Sequence, residues 1–317
     1  MRALITGITG QDGAYLAELL IKKGYEVYGL KRRLSTPNLW RLDALNITNK
    51  VNLIDGDMTD MASLNKAMSI ACPDEVYNLA AQSFVPSSFD CPSTTFDVNA
   101  KGVINLLELL RYSRIKFYQA STSEMFGLVN VESQDENTPF HPRSPYGVAK
   151  VAAHYATINY REAYDLHACC GILFNHESPL RGEEFVTKKI TNGIQDILDG
   201  KTETLALGNL DAKRDWGHAR DYVEAMYLML QNDPDDYVIA TGETHSVREF
   251  VETAFKKAGL NSKNHIVIDQ KYMRPSDVPL LCGNPTKAKE QLGWEPKYNF
   301  DSLINEMVLN RYIRRAA

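Results

Sequence analysis

Two short segments carry four side chains suited to moving a proton to and from a hydroxyl group. The first segment holds Thr122 and Glu124, and the second holds Tyr146 and Lys150. Tyrosine and lysine at this spacing share one face of a helix, so the ammonium can favour the ionised phenol. A free tyrosine has a pKa of about 10, and lowering it to about 7 takes on the order of 4 kcal/mol. The pair therefore predicts a general base.

These four side chains meet only if the first segment ends a strand and the second opens a helix. The apolar run at 115–120 predicts such a strand, and the pattern at 144–164 predicts the helix. Pro145 suits the first helical position. Glu124 lies two positions beyond Thr122, so it leaves the strand end on the same side. We therefore expect one cluster at the carboxyl end of this strand.

A glycine-rich turn near the N-terminus predicts a dinucleotide site. It follows an apolar run at 3–6 and precedes a helical pattern that ends near residue 24. Backbone N–H groups and the helix dipole can hold a pyrophosphate in that context. The spacing is G-x-x-G-x-x-G rather than G-x-G-x-x-G. The expected cofactor contacts are Gly7, Thr9, Gly10, Gln11, Asp12 and Gly13.

The end of the second strand indicates which nicotinamide cofactor is used. An NAD enzyme commonly has an acidic residue here for the ribose 2′-hydroxyl. This chain has Lys31, Arg32 and Arg33 instead, and guanidinium groups pair well with a 2′-phosphate. Arg32 is the first choice for that contact and Arg33 the second. NADP is therefore favoured over NAD.

The ends of the third and fourth strands are in register with the glycine turn. Residues there commonly flank the adenine or let the backbone approach a ribose or pyrophosphate. Lys150 and Tyr146 are also expected to contact the cofactor. The strand-end positions are Asp57, Met58, Leu79, Ala80, Ala81 and Gln82.

Strands and helices alternate up to residue 174, which predicts a Rossmann-type, doubly wound parallel sheet of the α/β class. We expect residues 1–174 to form the NADP-binding domain, to which about 215–241 also returns, with 236–240 as one more strand. Residues 175–317 then form mainly a smaller α/β substrate-binding domain.

Composition narrows the functional classes. The net charge of −5 does not indicate nucleic acid or a membrane surface as a partner. Five cysteines without ligand spacing fit a reducing cytoplasm, and the N-terminus enters a strand without a signal peptide. No apolar stretch reaches the ~18 residues of a membrane helix. His176-Glu177 is not part of H-E-x-x-H, so no metal site is expected.

The glycine turn, the Ser121-Thr122 pair and the Tyr-x-x-x-Lys motif resemble the extended short-chain dehydrogenase/reductase family, whose members mostly act on nucleotide sugars. Longer strings narrow the resemblance to the GDP-mannose 4,6-dehydratases and span nearly the whole chain. They lie at 7–13, 117–124, 142–146, 171–179, 214–219 and 238–242.

The resemblance implies oxidation at C4 of a GDP-sugar, loss of water across C5–C6, and reduction at C6 by the same bound NADP. Tyr146 would take the O4 proton and later protonate C5, while Thr122 bonds the phenolate or the hydroxyl. Glu124 would remove the C5 proton and protonate the leaving C6 hydroxyl, since one carboxylate can do both in turn. The alternatives are another GDP-hexose or GDP-heptose, a reductase or epimerase in which Glu124 is incidental, and a silent NADP-binding regulator. The intact four residues argue against the last.

The resemblance also implies contacts from the second half of the chain. His176 and Arg181 would touch the cofactor. The substrate would be held by Ser83, Asn175, Lys189 or Lys188, Arg214 and Arg274. A homo-oligomer is implied, but the arm at 34–40 departs from the family's serine-rich version, which leaves dimer or tetramer open. Ala80-Ala81 and Phe84-Val85 also replace the usual Gly-Ala and His-Val.

Overall fold

The structure, a computed structural model, describes residues 1–272, 280–311 and 313. Its strands are β1 (Arg2–Thr6), β2 (Glu26–Lys31), β3 (Val51–Asp55), β4 (Glu75–Asn78), β5 (Lys116–Thr122), β6 (Ala168–Leu173), β7 (Asn175–Glu177), β8 (Leu205–Leu207), β9 (Lys213–Arg214), β10 (Trp216–His218), β11 (Asp236–Ile239), β12 (His245–Ser246), β13 (Ile266–Ile268) and β14 (Leu280–Leu281). Its helices are α1 (Gln11–Lys22), α2 (Trp40–Ala44), α3 (Met61–Ala71), α4 (Val85–Asp90), α5 (Pro92–Phe96), α6 (Gly102–Leu110), α7 (Pro145–Tyr164), α8 (Val186–Leu198), α9 (Ala219–Gln231), α10 (Val247–Lys257), α11 (Thr286–Leu292) and α12 (Phe300–Leu309).

A seven-stranded parallel sheet forms the centre, in the order β11-β6-β5-β4-β1-β2-β3. Helices cover both faces, so strands such as β6 are buried along their whole length and are continuously apolar in sequence. The doubly wound fold predicted from the sequence is confirmed. The strand order reverses between β1 and β4, which opens a crevice at the carboxyl ends of these strands.

The second half of the chain builds smaller layers beside this sheet. Strand pairs β7–β10 and β8–β13 and the set β12-β9-β14 lie there, and α10 packs against α8 and α12. Their shared core includes Trp216, Phe250 and Ile304. The chain then returns to the sheet, because α9 packs on α1 and β11 pairs with β6. The division into two domains at residue 174 stays a prediction.

The helical apolar pattern at 94–112 of the sequence predicts one long helix, which is interrupted in the structure. It consists of α5, a π-helical turn at Asp97–Lys101 and α6. The turn brings the buried Asn99 side chain to the backbone of Gln82. Asn99 Oδ1 accepts the Gln82 N–H at 2.8 Å, and Asn99 Nδ2 donates to the Gln82 carbonyl at 2.9 Å. Hydrophobic periodicity does not reveal such an insertion, and π-turns often occur near functional sites. This one fixes the loop after β4.

The five cysteines are free thiols, and Cys169 and Cys170 are buried in β6. Cys72 and Cys91 are exposed. Among the helices that the structure describes, none combines the length and apolarity needed to cross a bilayer.

Candidate active site

A cavity of about 570 Å³ lies along the carboxyl ends of β1 to β6. Ligands bind at this edge in doubly wound sheets. It brings together most residues that the sequence nominates, from motifs far apart in the chain. They are Gly7, Thr9, Gly10, Gln11, Asp12, Gly13, Arg32, Asp57, Met58, Leu79, Ala80, Ala81, Gln82, Ser83, Thr122, Glu124, Tyr146, Lys150, Asn175, His176 and Arg181.

The start of α7 places the phenol at the end of β5. Ser144 precedes the helix and accepts the Gly147 N–H at 3.0 Å, and Pro145 occupies the first turn. Thr122 ends β5, and its hydroxyl bonds the Tyr146 phenol and accepts the Glu124 N–H at 3.3 Å. The hydroxyl, the phenol and the carboxylate-bearing turn therefore share one wall of the cavity.

Burial dominates the ionisation of the Tyr–Lys pair. The Lys150 ammonium donates to the Ala120 carbonyl at 2.8 Å and lies 5.9 Å from the centre of the Tyr146 ring. Burial lowers the pKa of Lys150 to about 8, against a smaller opposing effect of the Asp12 charge. Burial also raises the pKa of Tyr146 to about 12, although the Thr122 hydroxyl and the Arg181 charge oppose it.

The sequence predicts that the lysine together with a cationic nicotinamide lowers the phenol pKa. In the protein without a cofactor this pKa is raised. The reason is that the phenolate loses its hydration inside the cavity wall, and the negative charge of Glu124 raises its pKa further. The single ammonium does not compensate for both effects.

The glycine turn forms a cradle that only glycine permits. Gly7 has a φ of +70°, and a Cβ there would lie 2.8 Å from the Ala80 nitrogen. A Cβ at Gly13 would lie 2.5 Å from the Gly7 carbonyl oxygen. Because Gly10, just before α1, has no side chain to cap the helix, the first-turn N–H groups suit a phosphate. These features fit a dinucleotide.

Three cations follow β2, and the structure separates them. Lys31 is ion-paired with Asp55. Arg32 is exposed and lines the cavity, whereas Arg33 is exposed outside its lining. Near Arg32, hydrogen bonds from the Thr59 N–H and hydroxyl to Asp57 lower the pKa of that carboxyl and keep it ionised. Arg32, the first choice from sequence, is the one placed at the cavity.

The residues nominated for the substrate fall into two groups. Ser83 and Asn175 line the cavity. Lys188 does not reach it, because the buried ammonium donates to the Pro179 and Ile313 carbonyls at 2.9 and 2.7 Å. The sequence offers Lys188 as one of two alternatives for a substrate contact, and the structure corrects this. Because its ammonium is buried against backbone acceptors, Lys188 has a packing role.

The other alternative, Lys189, places its ammonium 3.1 Å from the centre of the Tyr272 ring, outside the cavity lining. Arg214 is buried in β9, where it donates to the Lys213 carbonyl at 2.8 Å. It too is outside the cavity lining. Arg274 falls outside the described residues.

Several lining residues carry no motif signal. Arg41 donates to the Thr9 and Leu180 carbonyls at 3.0 and 2.7 Å and so ties the glycine turn to the second half of the chain. Phe185 stacks under the Arg181 guanidinium at 3.6 Å. The remaining additions include Asn38, Thr94, Val98 and Glu184. Arg41 directly follows the arm at 34–40. Its positive charge is the feature of the sequence that could have identified it as a cavity residue.

A carboxylate behind the cavity orients Arg181. Glu177 is fully buried and pairs with the Arg181 Nε at 3.0 Å, while the Thr187 hydroxyl donates to the same carboxylate at 2.5 Å. Because it is held on both sides, by Glu177 and by the Phe185 ring, Arg181 is presented to the cavity in a fixed orientation.

Comparison with known proteins agrees with this geometry. The sequence model of the GDP-mannose 4,6 dehydratase family matches residues 4–307. GDP-mannose 4,6 dehydratase 1 of Arabidopsis thaliana is 54% identical, covering 96% of this chain and 88% of its own. GDP-mannose 4,6 dehydratase of Homo sapiens is 51% identical, with coverage of 96% and 90%. The UDP-glucose 4-epimerase of Thermus thermophilus, solved with NAD, superposes with a TM-score of 0.86 at 27% identity over 98% of this chain and 99% of that one. With a match that runs from β1 to α12, this chain belongs to the GDP-mannose 4,6-dehydratase family.

Proposed function

We propose that this protein is an NADP-dependent hydro-lyase that converts GDP-mannose to GDP-4-dehydro-6-deoxy-mannose. One observation carries the proposal: Thr122, Glu124, Tyr146 and Lys150 line the same cavity as the glycine cradle. A Tyr–Lys pair alone would support oxidation of a hydroxyl. The carboxylate two residues beyond Thr122 adds the group that elimination requires. The names of the curated relatives support the choice of GDP-mannose.

The cofactor contacts follow from the cavity lining. The cradle of Gly7, Gly10 and Gly13 would hold the pyrophosphate, and Arg32 would pair with the 2′-phosphate. Asp57 lies at the end of the neighbouring strand, where it would flank the adenine. The bound nicotinamide supplies a hydride acceptor at C4 and a hydride donor at C6. Lys150 lines the same cavity and would contact the cofactor.

Tyr146 carries the proton of the sugar O4. Because its pKa is raised in the protein without cofactor, the phenol is protonated at neutral pH. It ionises only when nearby positive charges stabilise the phenolate. Arg181 supplies one such charge, and the Thr122 hydroxyl stabilises the phenolate by donating to it. Lys150, with its ammonium 5.9 Å from the centre of the Tyr146 ring, would add a second. At the end of the cycle the same phenol protonates C5.

Glu124 carries the elimination. Once C4 is a ketone, the C5 proton is acidic, and the carboxylate removes it as the C5–C6 double bond begins to form. The same carboxyl then gives its proton to the departing C6 hydroxyl, which leaves as water. Glu124 is partly exposed at the cavity wall, so its oxygens can meet the sugar. The overall reaction is redox-neutral.

The nucleotide would lie toward the second half of the chain, residues 175–317. Asn175 and Ser83 reach the cavity and suit the sugar diphosphate. Lys189, Arg214 and Arg274 are proposed for the phosphates and ribose on the sequence resemblance alone. Residues 1–174 would bind the cofactor. The preference for guanine rests on the relatives' names.

One incubation tests the function. Purified protein receives GDP-mannose and a catalytic amount of NADP without a reductant. The expected product lacks one water and gives the alkaline ultraviolet absorbance of a 4-keto sugar, with no net change in NADP. Stoichiometric consumption of the cofactor would indicate a dehydrogenase or reductase instead. Turnover only with another GDP-hexose or a GDP-heptose would refute the proposed substrate.

The Glu124→Gln variant tests the role of the carboxylate. It should lose product formation while still reducing cofactor transiently at C4. Glu132→Gln, an exposed loop carboxylate, is the matched control and should be fully active. Full activity of Glu124→Gln would contradict the mechanism.

We further propose that the protein works as a homo-oligomer in the cytoplasm. The free thiols support a reducing compartment. Light scattering of the purified protein distinguishes monomer, dimer and tetramer.

A further inference from the structure

His176 is held between two hydrogen-bond acceptors. Its Nδ1 lies 2.7 Å from the Phe174 carbonyl oxygen, and its Nε2 lies 2.7 Å from the Asp12 carboxylate. The Phe174 carbonyl cannot donate, and neither can Asp12 while it is ionised. Since the pKa of Asp12 is lowered, the carboxylate form prevails and both ring nitrogens carry a hydrogen, which is the imidazolium form. In agreement, burial opposes the charge, but the Asp12 carboxylate outweighs it and raises the pKa of His176.

The surroundings support a fixed cation at this position. The Tyr222 ring of α9 stacks on the imidazole with centroids 4.4 Å apart and planes at 24°. The positive charge of Arg181 lowers the pKa of His176, but its effect is smaller than that of Asp12, which raises the pKa. Reciprocally, burial disfavours the Asp12 anion, but His176 lowers the pKa of that carboxyl overall. The two groups form a buried ion pair.

Asp12 is itself locked in place. It is the second residue of α1. The Gln11 amide donates at 3.0 Å to Asp12 Oδ1, the carboxylate oxygen that does not face His176, and at 3.1 Å to the His176 carbonyl. The Ser178 hydroxyl donates to the Gln11 side chain at 2.7 Å. The first turn of α1 is thus fastened to β7 and the segment after it.

The Asp12 carboxylate would repel a pyrophosphate in the cradle unless its charge were neutralised. Asp12 places a carboxylate beside the cradle proposed for the pyrophosphate, where like charges in a partly desolvated site repel. His176 neutralises it at 2.7 Å. Both N–H groups of His176 are engaged with protein acceptors, which leaves the ring no hydrogen to donate to a ligand.

We propose that the side chains of Asp12 and His176 are a positioning pair rather than direct cofactor ligands: the His176 imidazolium neutralises the Asp12 carboxylate so that an anionic dinucleotide can occupy the cradle. This inference rests on the proposed cofactor binding. It makes the charge balance of the pair, and not a contact from the imidazole, the determinant of affinity.

A charge-swap series with NADP titrations tests the pair, using cofactor binding rather than turnover as the readout. His176→Gln removes the positive charge and keeps a side-chain donor near Asp12. Dissociation constants for NADP should rise about 10-fold to 100-fold, because the unpaired carboxylate repels the phosphates. Adding Asp12→Asn to that variant removes the repulsion and should restore affinity to within about threefold of wild type.

The double variant decides between the two roles. If the double variant binds NADP as weakly as His176→Gln, the imidazole is a direct ligand and the proposal is overturned. Glu243 and His245 form a matched pair at 3.9 Å outside the cavity lining, and His245→Gln should leave NADP binding unchanged. Thermal melting confirms that each variant is folded.

Nitrogen NMR of the histidine rings in the cofactor-free protein provides a second test, which does not depend on NADP. Both His176 nitrogens should be protonated at neutral pH, and Asp12→Asn should convert the ring to a singly protonated form. A neutral ring in the wild type would refute the proposal. Failure of the wild type to bind NADP at all would refute the proposed function, while the NMR result would still judge the ion pair.

Discussion

The first turn of α7 meets the backbone of Glu124 at Gly147, where a Cβ atom would lie 2.9 Å from the Glu124 carbonyl oxygen. The same Cβ would lie 3.0 Å from the Pro142 side chain. Real Cβ atoms essentially never approach a neighbour below 3.0 Å, so one of the two segments would have to move. The missing side chain at Gly147 therefore sets the distance between the phenol-bearing helix and the carboxylate-bearing turn.

We predict that Gly147→Ala lowers kcat about 10-fold to 100-fold, because displacing a reacting group by about 1 Å can cost about 100-fold. Overpacking should cost about 1–3 kcal/mol of stability, offset in part by alanine's helix preference of about 0.5–1 kcal/mol. Steady-state turnover and thermal melting measure the two effects. Val148→Ala, at a position 48% exposed, is the control and should change neither. An unaltered kcat would show that the spacing is not critical.

Sequence reasoning locates the proposed reacting groups at the cavity because each lies where a periodic pattern stops. Thr122 ends an apolar strand and Tyr146 opens a helix after a proline, so both positions follow from local rules. Their meeting follows from the rule that parallel strands end at one edge. The same rules locate the glycine cradle and Arg32.

Tertiary packing decides what local rules do not specify. Phe185 and Arg41 reach the cavity through contacts between distant segments, which leave no periodic trace. Lys188 resembles Lys189 in sequence, yet the helix turns one amine to backbone carbonyls and the other to Tyr272. The raised pKa of Tyr146 reflects burial, which a spacing of residues does not disclose.

Lys150 should destabilise the cofactor-free fold at neutral pH. Its pKa falls from 10.5 to about 8 on folding, so the folded state disfavours the ammonium relative to the neutral amine by about 3 kcal/mol. We predict that Lys150→Met abolishes turnover but raises the free energy of unfolding by about 1–2 kcal/mol at neutral pH.

The sign of the pH effect follows from proton binding. Between about pH 8 and 10.5 the unfolded chain holds the Lys150 proton and the folded chain does not, so wild-type stability rises with pH. The advantage of Lys150→Met should therefore shrink over that window. Urea unfolding at about pH 7 and about pH 9.5 measures it, and the exposed Lys50→Met variant should show no such trend. A constant advantage at both values would argue against a depressed pKa.

A buried amide chain joins β1, β4 and β5 beneath the cavity. The Thr6 hydroxyl donates to Asn78 at 2.6 Å, Asn78 donates to Gln119 at 2.8 Å, and Gln119 donates to the Ala120 carbonyl at 3.1 Å. That carbonyl also accepts the Lys150 ammonium. The chain thus runs from the strand that leads into the glycine cradle to the acceptor of the lysine.

We predict that Gln119→Leu costs about 2–4 kcal/mol of stability, because it leaves the Asn78 amide buried without an acceptor. Asn78→Leu should cost less stability in the Gln119→Leu background than in the wild type, since the two amides bond each other. The difference, which is the coupling free energy, should be about 1 kcal/mol or more. Denaturant unfolding of the four proteins in this cycle gives the coupling. Strictly additive losses would mean that the amides act independently.

Arg32 should set the preference for the phosphorylated cofactor. A bidentate guanidinium–phosphate pair in the cavity wall is a strong, charge-assisted contact, so Arg32→Ala should weaken NADP binding about 10-fold to 100-fold. NAD lacks the 2′-phosphate, and its affinity should change by less than about threefold, which makes the ratio of the two constants independent of general damage to the site. Arg33→Ala is the matched control, because Arg33 follows in sequence but lies outside the cavity lining. Fluorescence titration of each variant with both cofactors measures the ratio. If Arg33→Ala erases the preference and Arg32→Ala does not, the phosphate contact belongs to Arg33, and the chain after β2 must rearrange when the cofactor binds.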